Sequence, residues 1–256
     1  MVDDGSVGGE IVRLAATFAH VDAVYNPTSR GFAGAANRGI AAATGEIIEL
    51  LNDDTQVTPG WADAALRWFD DPTVAAVAPL VLQGPRGDTV PIIDSAGDDY
   101  DRGGFARKRG HGESLADRYL SPCEVFGASA SSAFYRADVL RAVGGFPEHF
   151  GAYFEDVDLA WRIRQAGYRT MFEPNSVVWH RVGSSYRKRR ELLERQSQNE
   201  ERVFWRNVPD VWRMLPRHAA VLAGKAMRRV REGTLVPWAI GRLRAFVEVP
   251  GILRGR

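Results

Sequence analysis

Two short stretches carry carboxylates at spacings that catalysis uses. In the stretch from Gly151 to His180, Glu155, Asp156 and Asp158 lie within four positions of one another. An amphipathic run follows directly, with Val157, Leu159, Trp161 and Ile163 as its apolar members. Acidic residues in a first helical turn interact favourably with the positive end of the helix dipole, which is one reading of the cluster. The other is a general base held at a helix start beside a bound substrate. The second stretch runs from Gly45 to Trp61. Ile47, Ile48, Leu50 and Leu51 form an apolar run suited to a buried parallel strand, and it stops at Asn52, Asp53, Asp54 and Thr55. Ligands of open α/β sheets bind beyond the carboxyl ends of strands, and oxygen ligands placed there suit Mg²⁺ or Mn²⁺. A plain Asn-Asp turn accounts for the same residues.

The elements that must position these groups are legible in outline. Pro59 and Gly60 open a helix carrying Trp61, Leu66, Trp68 and Phe69. The chain has 256 residues, enough for one full core with an appendage. Its single cysteine, Cys123, excludes an intramolecular disulfide and fits a reducing compartment; no Cys-His pattern surrounds it. No signal-peptide pattern is read in it, and a cytoplasmic location is expected. The apolar stretch from Thr234 to Gly241 is far short of the roughly 20 residues that span a bilayer.

The net charge of +1 conceals a division. Residues 187–256 hold 17 Lys and Arg against 7 Asp and Glu, a net of +10, and the remainder nets −9. The break coincides with Arg187, Lys188, Arg189 and Arg190, and beyond it helix-like stretches carry Trp205, Trp212, Leu215, Trp238, Leu243 and Phe246. Basic residues interleaved with Trp and Leu suit a helix lying on an anionic membrane surface; a solvated basic face on helices that pack back onto the domain accounts for them as well. No nucleic-acid-binding motif is present.

Five segments in order resemble a known family: VDDGS at Val2–Ser6, GFAGAANRGI at Gly31–Ile40, LLNDDT at Leu50–Thr55, GGFPEHF at Gly144–Phe150 leading into FEDVDL at Phe154–Leu159, and VVWH at Val177–His180. The chain is similar to the family 2 glycosyltransferases of GT-A type, near the rhamnosyltransferase-like bacterial members. The resemblance spans most of the first 186 residues. It implies an α/β fold, a Rossmann-like mixed sheet flanked by helices over residues 1–186, with a basic helical extension over 187–256.

The resemblance also implies roles. Asp3 contacts the nucleotide base. Asn37 and Arg38 lie near the diphosphate. The family's DxD motif falls on Asn52, Asp53 and Asp54, with Asn52 near the ribose, Asp54 holding Mg²⁺ or Mn²⁺, and Asp53 between them. Asp156 matches the catalytic base, with Glu155 beside it, and His180 matches a histidine that helps bind metal or diphosphate in some relatives. One base and no nucleophilic carboxylate imply a single displacement with inversion, from a nucleotide-sugar to the hydroxyl of a saccharide or lipid-linked saccharide acceptor, in cell-envelope or surface polysaccharide synthesis. The lipid link favours a peripheral place on the inner face of the membrane. The loop region from Gly84 to Glu124, with Arg107, Lys108 and Arg109, is expected to shape the acceptor site. The small residues of Gly127–Arg136 leave room for a sugar, or equally for close packing.

The family begins with a strand, a loop and a helix ahead of the VDDGS segment. Here that segment opens the sequence, so the expectation is that a βα unit is encoded upstream in frame. A nucleotidyltransferase and a non-catalytic scaffold are the competing functional classes.

Overall fold

The computed structural model describes residues 1–84, 90–181 and 189–255. The chain runs β1 (Val2–Asp4), α1 (Glu10–Ala15), β2 (Val24–Asn26), α2 (Gly31–Ala42), β3 (Ile47–Leu51), β4 (Thr55–Val57), α3 (Trp61–Leu66), β5 (Val74–Gln83), β6 (Ile93–Ser95), β7 (Asp98–Asp101), β8 (Phe105–Lys108), β9 (Cys123–Val125), β10 (Ser132–Arg136), α4 (Ala137–Ala142), α5 (Glu155–Gln165) and β11 (Arg169–His180). Three helices close it: α6 (Arg189–Asn207), α7 (Val211–Arg231) and α8 (Leu235–Arg254).

The main sheet is mixed, in the order β3-β10-β5-β11-β4, with β6 added to β5 and β9 to β11. Its centre is the parallel pair β5 and β11. Nine of the ten residues of β5 are buried, as a strand covered on both faces requires. Phe172 on β11, together with Leu80 and Leu82, anchors the largest core cluster against Ile40 of α2, Leu140 of α4 and Leu159 and Ile163 of α5. A smaller cluster under α3 joins Val74, Val77, Phe134 and Met171.

The run Ile47–Leu51 is a strand, but not the buried parallel one expected. It pairs antiparallel with β10, Ser132 opposite Leu51, and it ends the sheet. Only Ile48 is fully buried, while Leu51 is exposed. A short apolar run carries no information on the direction of its partner, and a chain returning from β9 supplies an antiparallel neighbour as readily as a helical crossover supplies a parallel one. β1 and β2 form a separate parallel pair, so β1 and β3 each have one strand neighbour among the described residues.

Of the basic run marking the expected boundary at 186/187, Arg187 and Lys188 lie outside the described residues. The helices beyond it are joined to the sheet domain by burial. Val203, Phe204 and Trp205 of α6, with Val208 just beyond it, share a cluster with Phe150, with Val157 and Trp161 of α5, and with Val211 of α7. On its other side α6 packs against α8 at Gly241, where a Cβ would overlap the carbonyl oxygen of Glu194. Among the described residues no helix is long and apolar enough to cross a membrane.

Candidate active site

The three carboxylates at the start of α5 meet three different fates. Asp158 is wholly buried and takes hydrogen bonds from Arg162 at 2.8 Å, Arg206 at 3.0 Å and Asn207 at 2.8 Å, so it ties α5 to α6. Glu155 is buried with Oε2 unpaired among the described residues, and burial pushes its carboxyl well above the usual range. Asp156 is half-buried and accepts from the backbone N–H of Ala130 at 3.2 Å and of Val157 at 2.9 Å. Burial thus favours the uncharged form of Glu155, while Asp156 is partly exposed and holds two backbone N–H donors.

The backbone that delivers Asp156 is strained. Tyr153 and Phe154 have φ of 73° and 66°, a left-handed conformation that bulky side chains rarely adopt. Each such residue costs about 1–3 kcal/mol and persists only where its surroundings over-determine it.

Around Asp156 lie groups that the acidic motifs did not announce. Asp98, at the start of β7, is buried and its carboxyl is pushed up to about 8, by burial first and by the charge of Asp156 second. Burial also raises Asp156, against the opposing pull of the Ala130 N–H and of Lys108. Burial and the charge of Asp156 thus favour the protonated form of Asp98, while the Ala130 and Val157 N–H groups favour the ionised form of Asp156. Lys108 at the end of β8 is favoured as the ammonium: burial disfavours the charge, but the Asp94 carboxylate, which accepts its hydrogen bond, outweighs it, with the Asp156 charge adding to that pull.

Asp94 of β6 is the hub between the two acidic clusters. Its carboxylate accepts from Lys108 Nζ at 3.0 Å and pairs with His180 Nδ1 at 3.1 Å. Burial opposes its charge, but His111, His180 and Lys108 together hold it well below the usual carboxylate range. The other nitrogen of His180, Nε2, lies 3.1 Å from Asp54 Oδ1. Sheet pairing makes that meeting: β4 runs antiparallel to β11 with Thr55 opposite His180, and Arg181 N donates to Asp54 O at 2.9 Å.

A short segment of small residues bridges the clusters directly. Asn52 N donates to Ser131 O at 3.1 Å, one residue from the Ala130 N–H that binds Asp156. Ala128 to Ser132 are all buried. At Gly127 the tight contact is with α5, where a Cβ would fall 2.6 Å from that of Ala160. Close packing therefore explains the first small residue of this segment.

The remaining expected residues fall at two places. Asp3 is buried in the middle of β1, accepting Ser6 N at 2.9 Å through Oδ1 while Oδ2 has no partner among the described residues. Asp4 beside it takes Asn26 at 2.8 Å, Ser29 at 2.7 Å and Arg30 N at 2.9 Å, and so shapes the turn. Asn37 spends its amide on the backbone of Phe146, donating at 2.8 Å and accepting at 2.9 Å. Arg38 and Asp53 are exposed.

Among the described residues no three His, Cys, Asp or Glu side chains form a metal cage. Mg²⁺ and Mn²⁺ do not require one, since they keep waters and take substrate phosphates besides one or two carboxylates. The Asp54 carboxylate with the His180 imidazole beside it fits that demand.

A mixed sheet with acidic turns at its strand ends, flanked by helices, is a GT-A-type α/β fold. The chain belongs to glycosyl transferase family 2, whose description matches residues 1–144. It is 33% identical over 183 residues to a pre-mycofactocin glycosyltransferase of Mycobacterium tuberculosis (strain ATCC 25618 / H37Rv), which covers 70% of this chain and 36% of that protein. To the N-acetylglucosaminyl-diphospho-decaprenol L-rhamnosyltransferase of the same strain it is 27% identical over 208 residues, 72% of this chain and 66% of the relative. The chain thus spans about a third of the first relative's length and about two thirds of the second's. In three dimensions it resembles GalNAc-T7, crystallised with UDP, GalNAc and Mn²⁺, with a TM-score of 0.59 at 15% identity over 79% of this chain and 40% of that one.

Proposed function

We propose that this chain transfers a sugar from a nucleotide-diphospho-sugar to an acceptor hydroxyl in a single, inverting displacement, with Asp156 as the base. The observation that carries the reading is the Ala128–Ser132 segment. It holds the Asn52 turn by one backbone group and Asp156 by another, so a donor at the first and an acceptor at the second would lie across one short stretch of chain.

Each residue then has a task. Asp3 offers an unpaired buried oxygen to the nucleotide base. Asn52 and Asp53 border the ribose, and Arg38, exposed on α2, neutralises the diphosphate. A divalent cation, Mg²⁺ or Mn²⁺, held by Asp54 and His180 would stabilise the charge that grows on the leaving diphosphate. Asp156 takes the proton of the attacking hydroxyl. Burial raises its pKa above that of an ordinary carboxylate, which makes it a stronger base. Asp98, pushed towards its protonated form, spares Asp156 a second charge, and Lys108 pulls the Asp156 carboxyl towards its ionised form. Asn37 supports the site from behind through Phe146.

The test is Asp156→Asn. Turnover should fall by roughly 10²–10⁴-fold with donor binding little changed, since the amide keeps the shape and loses the base. Near-normal turnover would sink the assignment. Release of pyrophosphate instead of a nucleoside diphosphate would favour a nucleotidyltransferase, and failure to bind any nucleotide-sugar with Mn²⁺ a scaffold.

The acceptor class is read from the relatives and from the surface. One relative is named for a diphospho-decaprenol substrate, which supports a lipid-linked saccharide acceptor and a role in envelope polysaccharide synthesis. On α7 and α8, Trp212, Met227, Val230, Val236, Leu243 and Val247 are each at least 60% exposed. Arg213 and Arg231 are also exposed on α7 and have no acidic partner among the described residues. An apolar stripe bordered by arginines matches an anionic lipid surface. Binding to anionic vesicles should weaken as salt rises, because exposed charges are screened over about 10 Å at 0.1 M. Equal binding to neutral vesicles would count against this surface.

A further inference from the structure

The turn ahead of α5 bends through three positive φ angles, at Gly151, Tyr153 and Phe154. Nothing in its own sequence favours that path at the last two. Yet three of its carbonyl oxygens converge on one distant side chain. Asn199 of α6 donates through Nδ2 to Phe150 O at 2.9 Å, Ala152 O at 3.1 Å and Tyr153 O at 2.8 Å. Asn199 is wholly buried.

Its orientation is itself determined. Arg202 Nη1, one turn along α6, donates to Asn199 Oδ1 at 2.8 Å and to His149 O at 3.0 Å. A guanidinium has no acceptor, so the amide oxygen must face Arg202 and the NH₂ must face the turn. Arg202 is held in turn by Glu248 of α8, at 2.6 Å and 2.7 Å. Among the described contacts the start of α2 also reaches this turn, with Ala33 N donating to Gly151 O at 3.0 Å.

We infer that Asn199 is a positioning residue for the base: it clamps the Phe150–Tyr153 turn so that α5 begins where Asp156 reaches the Ala130 N–H. The inference rests on the reading of Asp156 as the base. It places part of the active-site machinery on α6, beyond the segments that resemble the family. The clamp works because an unrestrained Tyr-Phe pair leaves the left-handed region, and α5 then loses the start that aims Asp156. Burial, the Ala130 and Val157 N–H groups and Lys108 of β8 set its carboxyl, beside Asp98 of β7 and Glu155 of α5, only while it is held among them.

The test needs no substrate. Asn199→Asp keeps the shape and turns both donors into acceptors facing three carbonyl oxygens; Asn199→Ser is the milder variant and leaves one donor. Val203→Ala thins the same helix one turn on and serves as the stability control. The Asp156 carboxyl resonance, assigned by its loss in Asp156→Asn, is titrated by NMR, and amide exchange is followed across residues 151–157. In both Asn199 variants the Asp156 titration should move towards the ordinary aspartate range, and exchange in the turn should quicken at least tenfold. Val203→Ala should lower Tm and leave both readouts at wild-type values. An unmoved titration and unmoved exchange in a folded Asn199 variant would overturn the clamp, even where Asp156→Asn is inactive. Equal changes in Val203→Ala would reduce Asn199 to general packing and overturn it too. Near-normal turnover in Asp156→Asn removes the base, and with it the catalytic role of Asn199.

Discussion

The two acidic turns are built in opposite ways. The Asn52–Asp54 turn lies at a sheet end, held by ordinary β pairing and by three backbone hydrogen bonds, with Asp53 open to solvent. The turn before Asp156 is buried at its back, strained, and held by side chains from α6. On the proposed roles, the tasks differ in the same sense. A cation between a carboxylate and a diphosphate needs the right charge at roughly the right place, and water completes its shell. A proton acceptor needs a set basicity and a set distance, so its surroundings must be dry and its backbone rigid.

That contrast is sharpened first at Asp54. Asp54→Ala, or excess chelator, should abolish transfer, and Mn²⁺ or Mg²⁺ should restore only the chelated wild type. Full activity in chelator would erase the distinction between the two turns. Next in size is the loss at Asp156→Asn already set out, where the signature is a fall in kcat with donor affinity held.

The smallest effect concerns Asp98. Its folded-state pKa, about 8, lies above the 3.8 of an ordinary aspartate. The folded chain therefore binds more protons than the unfolded one between those values. Asp98 supports the fold fully below pH 4, and that support is lost as pH rises towards 8. In chemical denaturation across pH 4–8, Asp98→Asn should lose stability less steeply than the wild type. Parallel slopes would mean that Asp98 carries no displaced proton, and the dry side of the comparison would lose its main electrostatic support.

The sequence exposed much of this and hid the rest for physical reasons. The acidic start of α5 and the turn after β3 stand beside apolar runs, so their places were readable. β5 is almost uninterrupted in its apolar residues, but so is the run Ile47–Leu51 that ends the sheet, so an apolar run alone does not tell an inner strand from an outer one. Asp94, Asp98 and Lys108 were not readable, because β6, β7 and β8 are short, polar and joined by tight turns, with no period that tells inward from outward. The basic cluster Arg107–Arg109 was visible, but only the fold directs Lys108 to the site while Arg107 pairs with Asp99 at 3.0 Å and Arg109 donates to Ala96 O at 3.1 Å. Asn199 sits in a helix crowded with charge, and one amide among Glu and Arg carries no local signal. Its partners are carbonyl oxygens, which every residue has.

The central pair of strands also governs how this molecule comes into being. Residues 74–83 and 169–180 lie side by side, and β10, which flanks β5 on the other edge, is itself made late in the chain. On a ribosome, β5 therefore emerges long before either long neighbour exists. Pairings this distant in sequence are slow to form, and the unpaired strand is exposed meanwhile. Pro79 stands near its middle. A proline lacks the N–H that a stray strand would need to extend a ladder, and it interrupts a segment otherwise well suited to pairing with copies of itself. The native sheet accommodates it opposite Glu173, where β11 shifts register. The irregularity in the finished sheet is the counterpart of a safeguard needed only while the chain is being made.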